Sequence, residues 1–478
     1  MPNQRPSSRP DAKPDVAWGT AAEIAAAVTD GGMTATAVVD QALARIAKLN
    51  PALNAFTAVT AERARSRAKV IDTVRDKSKL PLAGVPFAVK NLFDVAGIVT
   101  TAGSKINRGN APADRDSPLV ERLEAAGAVL VGALNMGEYA YDFTGENLHD
   151  GPSRNPQDTA RMTGGSSGGS GGAVAGGMVP FALGSDTNGS IRVPSSLCGI
   201  FGLKPTYGRL TRAGTFPFVF SLDHLGPFAR SVRDLALTYD AMQGPAEGDG
   251  ACAERPVEPV TKELDRGISG LRIATAGGYF RKGAFSEATE ALDGVAKALD
   301  VKERVEFPEA ARARAAAYLI TATEGAALHL DRLRARATDF DPAVRDRLLA
   351  GAMVPSALVV KAQIFRRWYR ERILELFERV DAILAPATPC TAPKIGQTTF
   401  VLDGQELPVR PNLGIYTQPI SFIGLPVVAV PVPLKPLPIG VQVIAPPWRE
   451  DVALRVAYAL EQMGIVAAAR PIGLEGTA

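Results

Sequence analysis

Val38, Val39, Ala42, Leu43, Ile46 and Ala47 fall three and four positions apart. That spacing lays one apolar stripe along a helix from Thr34 to about Leu49, which Asn50-Pro51 is expected to stop. An Ala-rich helix over Thr20 to Val28 is predicted before it, and a strongly charged helix over Thr60 to Lys77 after it. The texture then changes. Leu82 to Lys90 is a short apolar run between turn residues, which suits a buried strand. A helix over Pro118 to Ala126 and a strand over Ala128 to Gly132 follow. Strand–helix alternation returns over 270–330, beginning with Leu271 to Ala274. Further on come one long helix over 356–380, strands at Asp381 to Pro386, Val427 to Val430 and Gly440 to Ile444, and a last helix from about Asp451 to Met463. This alternation predicts an α/β protein. With no repeat and no linker after residue 15, it reads as a flexible tail over 1–15 and one large domain over 16–478.

Composition narrows the function classes. The chain has 478 residues, 53 Lys+Arg against 50 Asp+Glu, a net charge of +3 and 46% apolar residues. A near-cancelling charge provides no bulk field for nucleic acid or an anionic membrane, so neither is expected as a partner. The most apolar stretch, Gly424 to Leu434, is too short and too rich in proline to span a bilayer as a helix. The N-terminus has no apolar core of a secretory signal, which points to a soluble cytoplasmic protein. Cys198, Cys252 and Cys390 show no CxxC spacing, and His149, His224 and His329 form no HExxH arrangement, so neither a disulfide framework nor a zinc site is expected.

The chemistry concentrates between Thr163 and Gly208. Gly164 to Gly172 is a run of glycine and serine that reads as a flexible linker or as a turn of closely packed backbone. A second such turn, Gly184 to Ser190, lies behind the apolar segment Ala173 to Leu183, which argues for the packed turn. Gly184 to Gly189 has P-loop glycine spacing, but Ser190 stands where the lysine belongs, and no GxGxxG follows a strand. A hydrolase fits better: Ser190, after Thr187-Asn188-Gly189, would be a nucleophile beside backbone N–H groups suited to an oxyanion. It needs a base, no histidine lies in a recognisable motif, and GxSxG is missing. A lysine base must be held neutral. Lys90, ending an apolar strand, is the outstanding candidate, although by itself it reads as a strand-end lysine reaching solvent.

Three segments in order, Gly84 to Asn91, Gly164 to Gly169 and Asp186 to Arg192, resemble the motifs of the amidase signature family, and the resemblance runs from about Ala21 to Met463. It implies an α/β fold with a mixed central β-sheet wrapped by helices, and a Ser–cis-Ser–Lys triad. Ser190 then corresponds to the nucleophile, Ser166 to the serine held by a cis peptide that relays the proton, and Lys90 to the base. The N–H groups of Thr187, Asn188, Gly189 and Ser190 correspond to the oxyanion hole. The resemblance implies no metal and no cofactor. Asn188 stands where many members have glycine. Asp142 also departs from a usual glycine, after Met136 to Ala140, and Tyr139 and Asp142 are expected to contact substrate. The segments Ser185 to Ser190, Tyr207 to Leu210, Ser221 to Pro227 and Tyr239 to Pro245 resemble a subgroup that releases ammonia from small urea-like or carboxylated amides. Such members work with a small helical partner, which implies a homodimer or heterotetramer. Two other readings share the motifs: the glutaminase-type component of a tRNA-dependent amidotransferase, and a non-catalytic scaffold, which the complete triad disfavours.

Other residues take structural readings. In Phe365 to Arg370 a solvated helix face with Trp368 buried is expected rather than an anion or RNA site. His224 and His329 read as hydrogen-bonded structural histidines, and Cys198 as packing.

Overall fold

The computed structural model describes residues 15–471 and residue 474. The tail expected over 1–15 lies, apart from Asp15, outside the described residues. Among the described residues an 11-stranded mixed sheet forms the centre. In spatial order its strands are Phe56–Val59, Val129–Leu134, Pro86–Lys90, Phe181–Asp186, His224–Ala229, Phe201–Lys204, Val427–Val432, Ile439–Ile444, Ala382–Pro386, Ile273–Ala276 and Arg304–Val305. Pro86–Lys90 runs parallel to both of its neighbours, Val129–Leu134 and Phe181–Asp186. All three are buried at every position, which is why they appear in the sequence as unbroken apolar runs and not as alternating ones. From Phe181–Asp186 to Ala382–Pro386 the pairing is antiparallel. No single helix among the described residues is long and apolar enough to cross a membrane.

Helices cover the sheet. Gly168–Ala175 and Arg192–Cys198 are short and wholly buried. The glycines of the first permit close approach: a Cβ on Gly169 would lie 2.5 Å from Ala55 O and Asn135 N. Arg192–Cys198 ends in the left-handed residue Gly199, and Cys198 packs inside it as expected, its Sγ 3.3 Å from Thr163 O. The 27-residue helix Ala310–Arg336 packs against Pro342–Ala352 and Ser356–Leu376.

Three expectations are corrected. The helix expected to stop at Asn50-Pro51 runs on, over Ala35–Leu53, with Pro51 inside its last turn. There the missing N–H forfeits one bond, to the carbonyl four residues back, and the Asn50 side chain accepts from the N–H groups of Ala55 and Phe56 to close the end. Trp368 is 40% exposed, and the aromatic buried on that helix is its neighbour Tyr369, in the row Ala362, Tyr369, Ile373. His329 packs its ring 4.0 Å from that of Tyr139, and neither ring nitrogen finds a partner among the described residues. His224 is hydrogen-bonded as expected, through Nδ1 to the carbonyls of Asp186 and Leu222.

Candidate active site

Two adjacent parallel strands deliver the first pieces of the site at their carboxyl ends, where α/β sheets collect ligands. Pro86–Lys90 ends in Lys90, and Phe181–Asp186 ends in Ser185 and Asp186. Lys90 does not reach solvent: it is fully buried, with Nζ 2.7 Å from Ser166 Oγ and 2.8 Å from Ser185 Oγ. Burial pushes its pKa down to about 7, against the opposing pull of Asp223, Asp186 and Asp142. At that value a large share of the lysine is neutral at neutral pH, with a lone pair for a hydroxyl proton.

Ser166 sits on the Gly/Ser run, and the Gly165–Ser166 peptide is cis. The run is held from outside. Gly164 and Gly165 donate through their N–H groups to Thr144 O and Phe143 O at 3.1 and 2.9 Å, and Gly137 donates to Ser166 O at 3.0 Å. Asp142 shapes that holding loop. Its carboxylate accepts from Thr144 N at 2.9 Å, Thr144 Oγ1 at 2.9 Å and Gly145 N at 2.6 Å, and pairs with Arg410. It lines the cavity described below, but its oxygens are occupied by the protein. Tyr139 does not line that cavity. Its hydroxyl is 2.9 Å from Ser104 Oγ and its ring lies among His329, Phe216 and Phe340. Tyr141 and Phe143 face the cavity in its place.

The turn Thr187–Ser190 follows Asp186. A buried arginine fixes its two ends: Arg192 donates through Nε and Nη2 to the Asp186 carboxylate at 3.0 and 2.9 Å, and Asp186 also accepts from Ile191 N at 3.2 Å. Burial would raise the pKa of Asp186, but the charge and hydrogen bonds of Arg192 override it and hold the carboxyl well below the usual range. Arg192 is anchored in turn by Thr417 O, Gln442 Oε1 and Ser421 Oγ. Thr187 Oγ1 donates to Asp223 at 2.6 Å, Thr417 Oγ1 donates to Asn188 O at 2.6 Å, and the Asn188 side chain donates to Thr321 Oγ1 at 2.9 Å. Gly189 adopts a φ of +144°, where a side chain is strained. The backbone N–H groups of Thr187, Asn188, Gly189 and Ser190 donate no hydrogen bond among the described residues. Four successive donors with no internal acceptor form the kind of concavity that holds a negative oxygen.

Ser190 lines a small cavity with Thr187, Asn188, Tyr318, Arg347 and Gln418. Its hydroxyl has no hydrogen-bond partner among the described residues. The Ser166 run packs on the helix that follows the Ser190 turn, where a Cβ on Gly164 would lie 3.0 Å from Pro194 Cα, and the turn packs on the loop that holds the run, where a Cβ on Gly189 would lie 3.3 Å from the Phe143 ring. Arg347, Tyr318 and Gln418 come from helices the sequence did not connect with the site. Arg347 is one of 53 basic residues, with no local signal to single it out. Its Nε donates to Ala343 O at 2.7 Å, its Nη2 to Tyr141 O, and its guanidinium stacks 3.8 Å from the Tyr141 ring centre. It forms no ion pair with a carboxylate among the described residues, and burial lowers its pKa.

A buried lysine against one serine, with a second serine on a turn of unpaired N–H groups over an α/β sheet, is the arrangement of a hydrolase built on serine and lysine. The amidase family model matches residues 37–454, and the chain belongs to that family. It is an amidohydrolase, acting on C–N bonds other than peptide bonds. It is 53% identical over 448 residues to AtzE, the 1-carboxybiuret hydrolase subunit of Pseudomonas sp. (strain ADP), covering 93% of this chain and 98% of the relative. It is 38% identical to the A component of the glutamyl-tRNA(Gln) amidotransferase of Azotobacter vinelandii (strain DJ / ATCC BAA-1303), covering 93% of this chain and 97% of that one. A solved structure described as a vestigial protein complex that reveals the origins of an s-triazine catabolic enzyme superposes with a TM-score of 0.93 at 52% identity, covering 94% of this chain and all of that chain. The corresponding component of the Thermotoga maritima glutamyl-tRNA(Gln) amidotransferase superposes with a TM-score of 0.80 at 32% identity, covering 94% and 95%.

Proposed function

We propose that the chain removes ammonia from a small carboxylated, urea-like amide, with 1-carboxybiuret as the substrate, through an acyl-Ser190 intermediate. The observation that carries the mechanism is Lys90, buried, pushed to about 7 and 2.7 Å from Ser166 Oγ. Neutral Lys90 takes the hydroxyl proton of Ser166 as Ser166 takes that of Ser190, and Ser190 Oγ bonds to the amide carbon. Apo hydrogen bonds of this kind tighten when substrate is bound. The N–H groups of 187–190 hold the oxyanion. The proton returns through Ser166 to the leaving nitrogen, the C–N bond breaks and ammonia departs. Water then adds to the acyl-Ser190 ester with Ser166 and Lys90 as base, and Ser190 is released. The chain's own residues account for each proton, with neither metal nor cofactor in the scheme.

The choice of substrate is supported by the 53% identical relative and by Arg347, a half-buried cation at the cavity wall with no carboxylate partner among the described residues, suited to a substrate carboxylate. One relative carries the name of an enzyme subunit, and one neighbour was solved as a protein complex, which supports a partner subunit; the partner proposed is small and helical, in a homodimer or heterotetramer. Three unpaired cysteines suit a cytoplasmic, reducing compartment. Ammonia release from a panel of 1-carboxybiuret, biuret, allophanate, malonamate and glutamine tests the reading. The expected result is a kcat/KM for 1-carboxybiuret well above the rest. Glutamine as the preferred substrate would replace this reading with that of an amidotransferase glutaminase.

A further inference from the structure

Asn188 occupies a position in the oxyanion turn where a side chain is not needed for the turn's own work, since only the backbone N–H faces an oxyanion. Yet that side chain is held in a single place. Its Nδ2 donates to Thr321 Oγ1 at 2.9 Å, and its own carbonyl is fixed by Thr417 Oγ1 at 2.6 Å. Two separate elements thus set the rotamer and the backbone. With Nδ2 engaged, the amide oxygen Oδ1 is buried and has no donor among the described residues, although Asn188 lines the cavity beside Ser190. A buried acceptor left without a donor is the costly half of a hydrogen bond, compensated when a ligand supplies the N–H. The carboxylate and the other side-chain amide oxygen of the wall are occupied: Asp142 by Thr144, Gly145 and Arg410, and the Gln418 Oε1 by Arg314 at 2.9 Å.

Asn188 and Ser190 line one cavity, so a substrate whose carbonyl oxygen sits over the N–H groups of 187–190 has its flanking groups within that same space. We propose that Asn188 is a specificity-determining residue: its Oδ1 accepts from the N–H flanking the scissile carbonyl, so that the site favours ureide acyl groups (–NH–CO–NH2) over carbon acyl groups (–CH2–CO–NH2). The inference rests on the urea-like substrate reading above and supplies a residue for it.

Biuret and malonamide differ only in N–H against CH2 beside the scissile carbonyl, and serve as the probe pair. Their kcat/KM, or their inhibition constants against 1-carboxybiuret turnover where hydrolysis is slow, are measured for the wild type, Asn188→Ala and Thr321→Val. One hydrogen bond is worth about tenfold, so Asn188→Ala should lower the biuret-to-malonamide ratio by about that factor from its wild-type value, whatever the intrinsic reactivity of the two carbonyls. Thr321→Val, which frees the amide to rotate, should lower it part-way. If Asn188→Ala does not yield folded protein, Thr321→Val decides. An unchanged ratio in the variants, or an equal fall for both probes, with 1-carboxybiuret still turned over by the wild type, would overturn the role of Asn188 alone. A wild type that hydrolyses malonamide and ignores 1-carboxybiuret and biuret would overturn both the substrate reading and this one.

Discussion

Arg192 and Asp186, six residues apart, meet as a two-pronged ion pair with neither side chain exposed, and the catalytic turn is the loop of chain between them. The pair therefore acts on the site through the backbone: it sets the span across which Thr187, Asn188, Gly189 and Ser190 must bend. Arg192 also reaches Thr417, whose hydroxyl holds Asn188 O from the opposite side.

Removing one member should leave the other as an uncompensated buried charge. Arg192→Met is expected to lower unfolding free energy by about 3–5 kcal/mol, read from the denaturant midpoint. Because the native carboxyl of Asp186 is held far below its unfolded value, its contribution is complete above the ordinary carboxylate range and fades as pH falls below it. Arg192→Met should therefore flatten the acid limb of the stability curve. A shift within the range of ordinary surface substitutions would show that the turn does not depend on the pair.

Lys90 links activity and stability through one proton. Activity needs the neutral amine, so kcat/KM should rise with pH through about 7. The unfolded lysine, at its ordinary 10.5, binds the proton more readily than the native one between about 7 and that value. Stability therefore climbs with pH across this window, and the penalty is complete below it. Lys90→Met should be inactive and yet melt at a higher temperature than the wild type, with the gap widening from pH 10 down to pH 7. Melting curves at several pH values decide this, and a destabilised Lys90→Met at pH 7 would contradict the assignment.

Ser190→Ala should lose several orders of magnitude in ammonia release while keeping the native circular dichroism spectrum. Lys90→Ala should lose nearly as much, and the double variant little more than either, because the groups act as one unit. Losses that add in log rate would make Lys90 a binding or structural residue. Hydroxylamine should intercept the acyl group in the wild type and not in Ser190→Ala.

At Gly189 a Cβ would fall 2.2 Å from Thr417 Oγ1, on backbone already at a φ of +144°. Gly189→Ala must displace Thr417 and tilt the N–H groups of the turn. Loss of one well-placed oxyanion donor costs about 10²–10³ in kcat. A fall of that size with a modest change in melting temperature is expected, and near-normal kcat would show that the turn is not the oxyanion site.

What the sequence made legible was local. Buried parallel strands show as apolar runs, and the glycines of 164–172 are dense because neighbours press on most of them: Pro194 on Gly164, Asp142 on Gly165, Thr163 on Gly168 and the backbone of Ala55 and Asn135 on Gly169. Lys90, Ser166 and Ser190 were within reach because each lies in a short motif. Their environment was not, since it depends on contacts distant in sequence. Thr321 meets Asn188 from 133 residues away, and Thr417 from 229. Arg347 carries no local mark among so many arginines. Tyr139 was expected at the substrate through its place in a motif, but a φ of +49° there and +60° at Ala140 turns the chain, so that Tyr141 and Phe143 face the cavity. Trp368 and Tyr369 are adjacent on one helix, and composition alone could not say which would turn inward.

The order of strands in the sheet has a consequence for biosynthesis. Val427–Val432 and Ile439–Ile444 are inserted between Phe201–Lys204 and Ala382–Pro386, so the sheet remains in two parts until Ile439–Ile444 has left the ribosome. By then Lys90, Ser166 and Ser190 have long emerged, but Arg192 still lacks Thr417, Ser421 and Gln442. A nascent chain in that state carries a guanidinium awaiting burial and an unpaired edge at Phe201–Lys204, open to a neighbouring polypeptide on the same messenger. The oxyanion turn is thereby among the last features of this sheet to set, since its anchoring arginine waits for residues of 417–442.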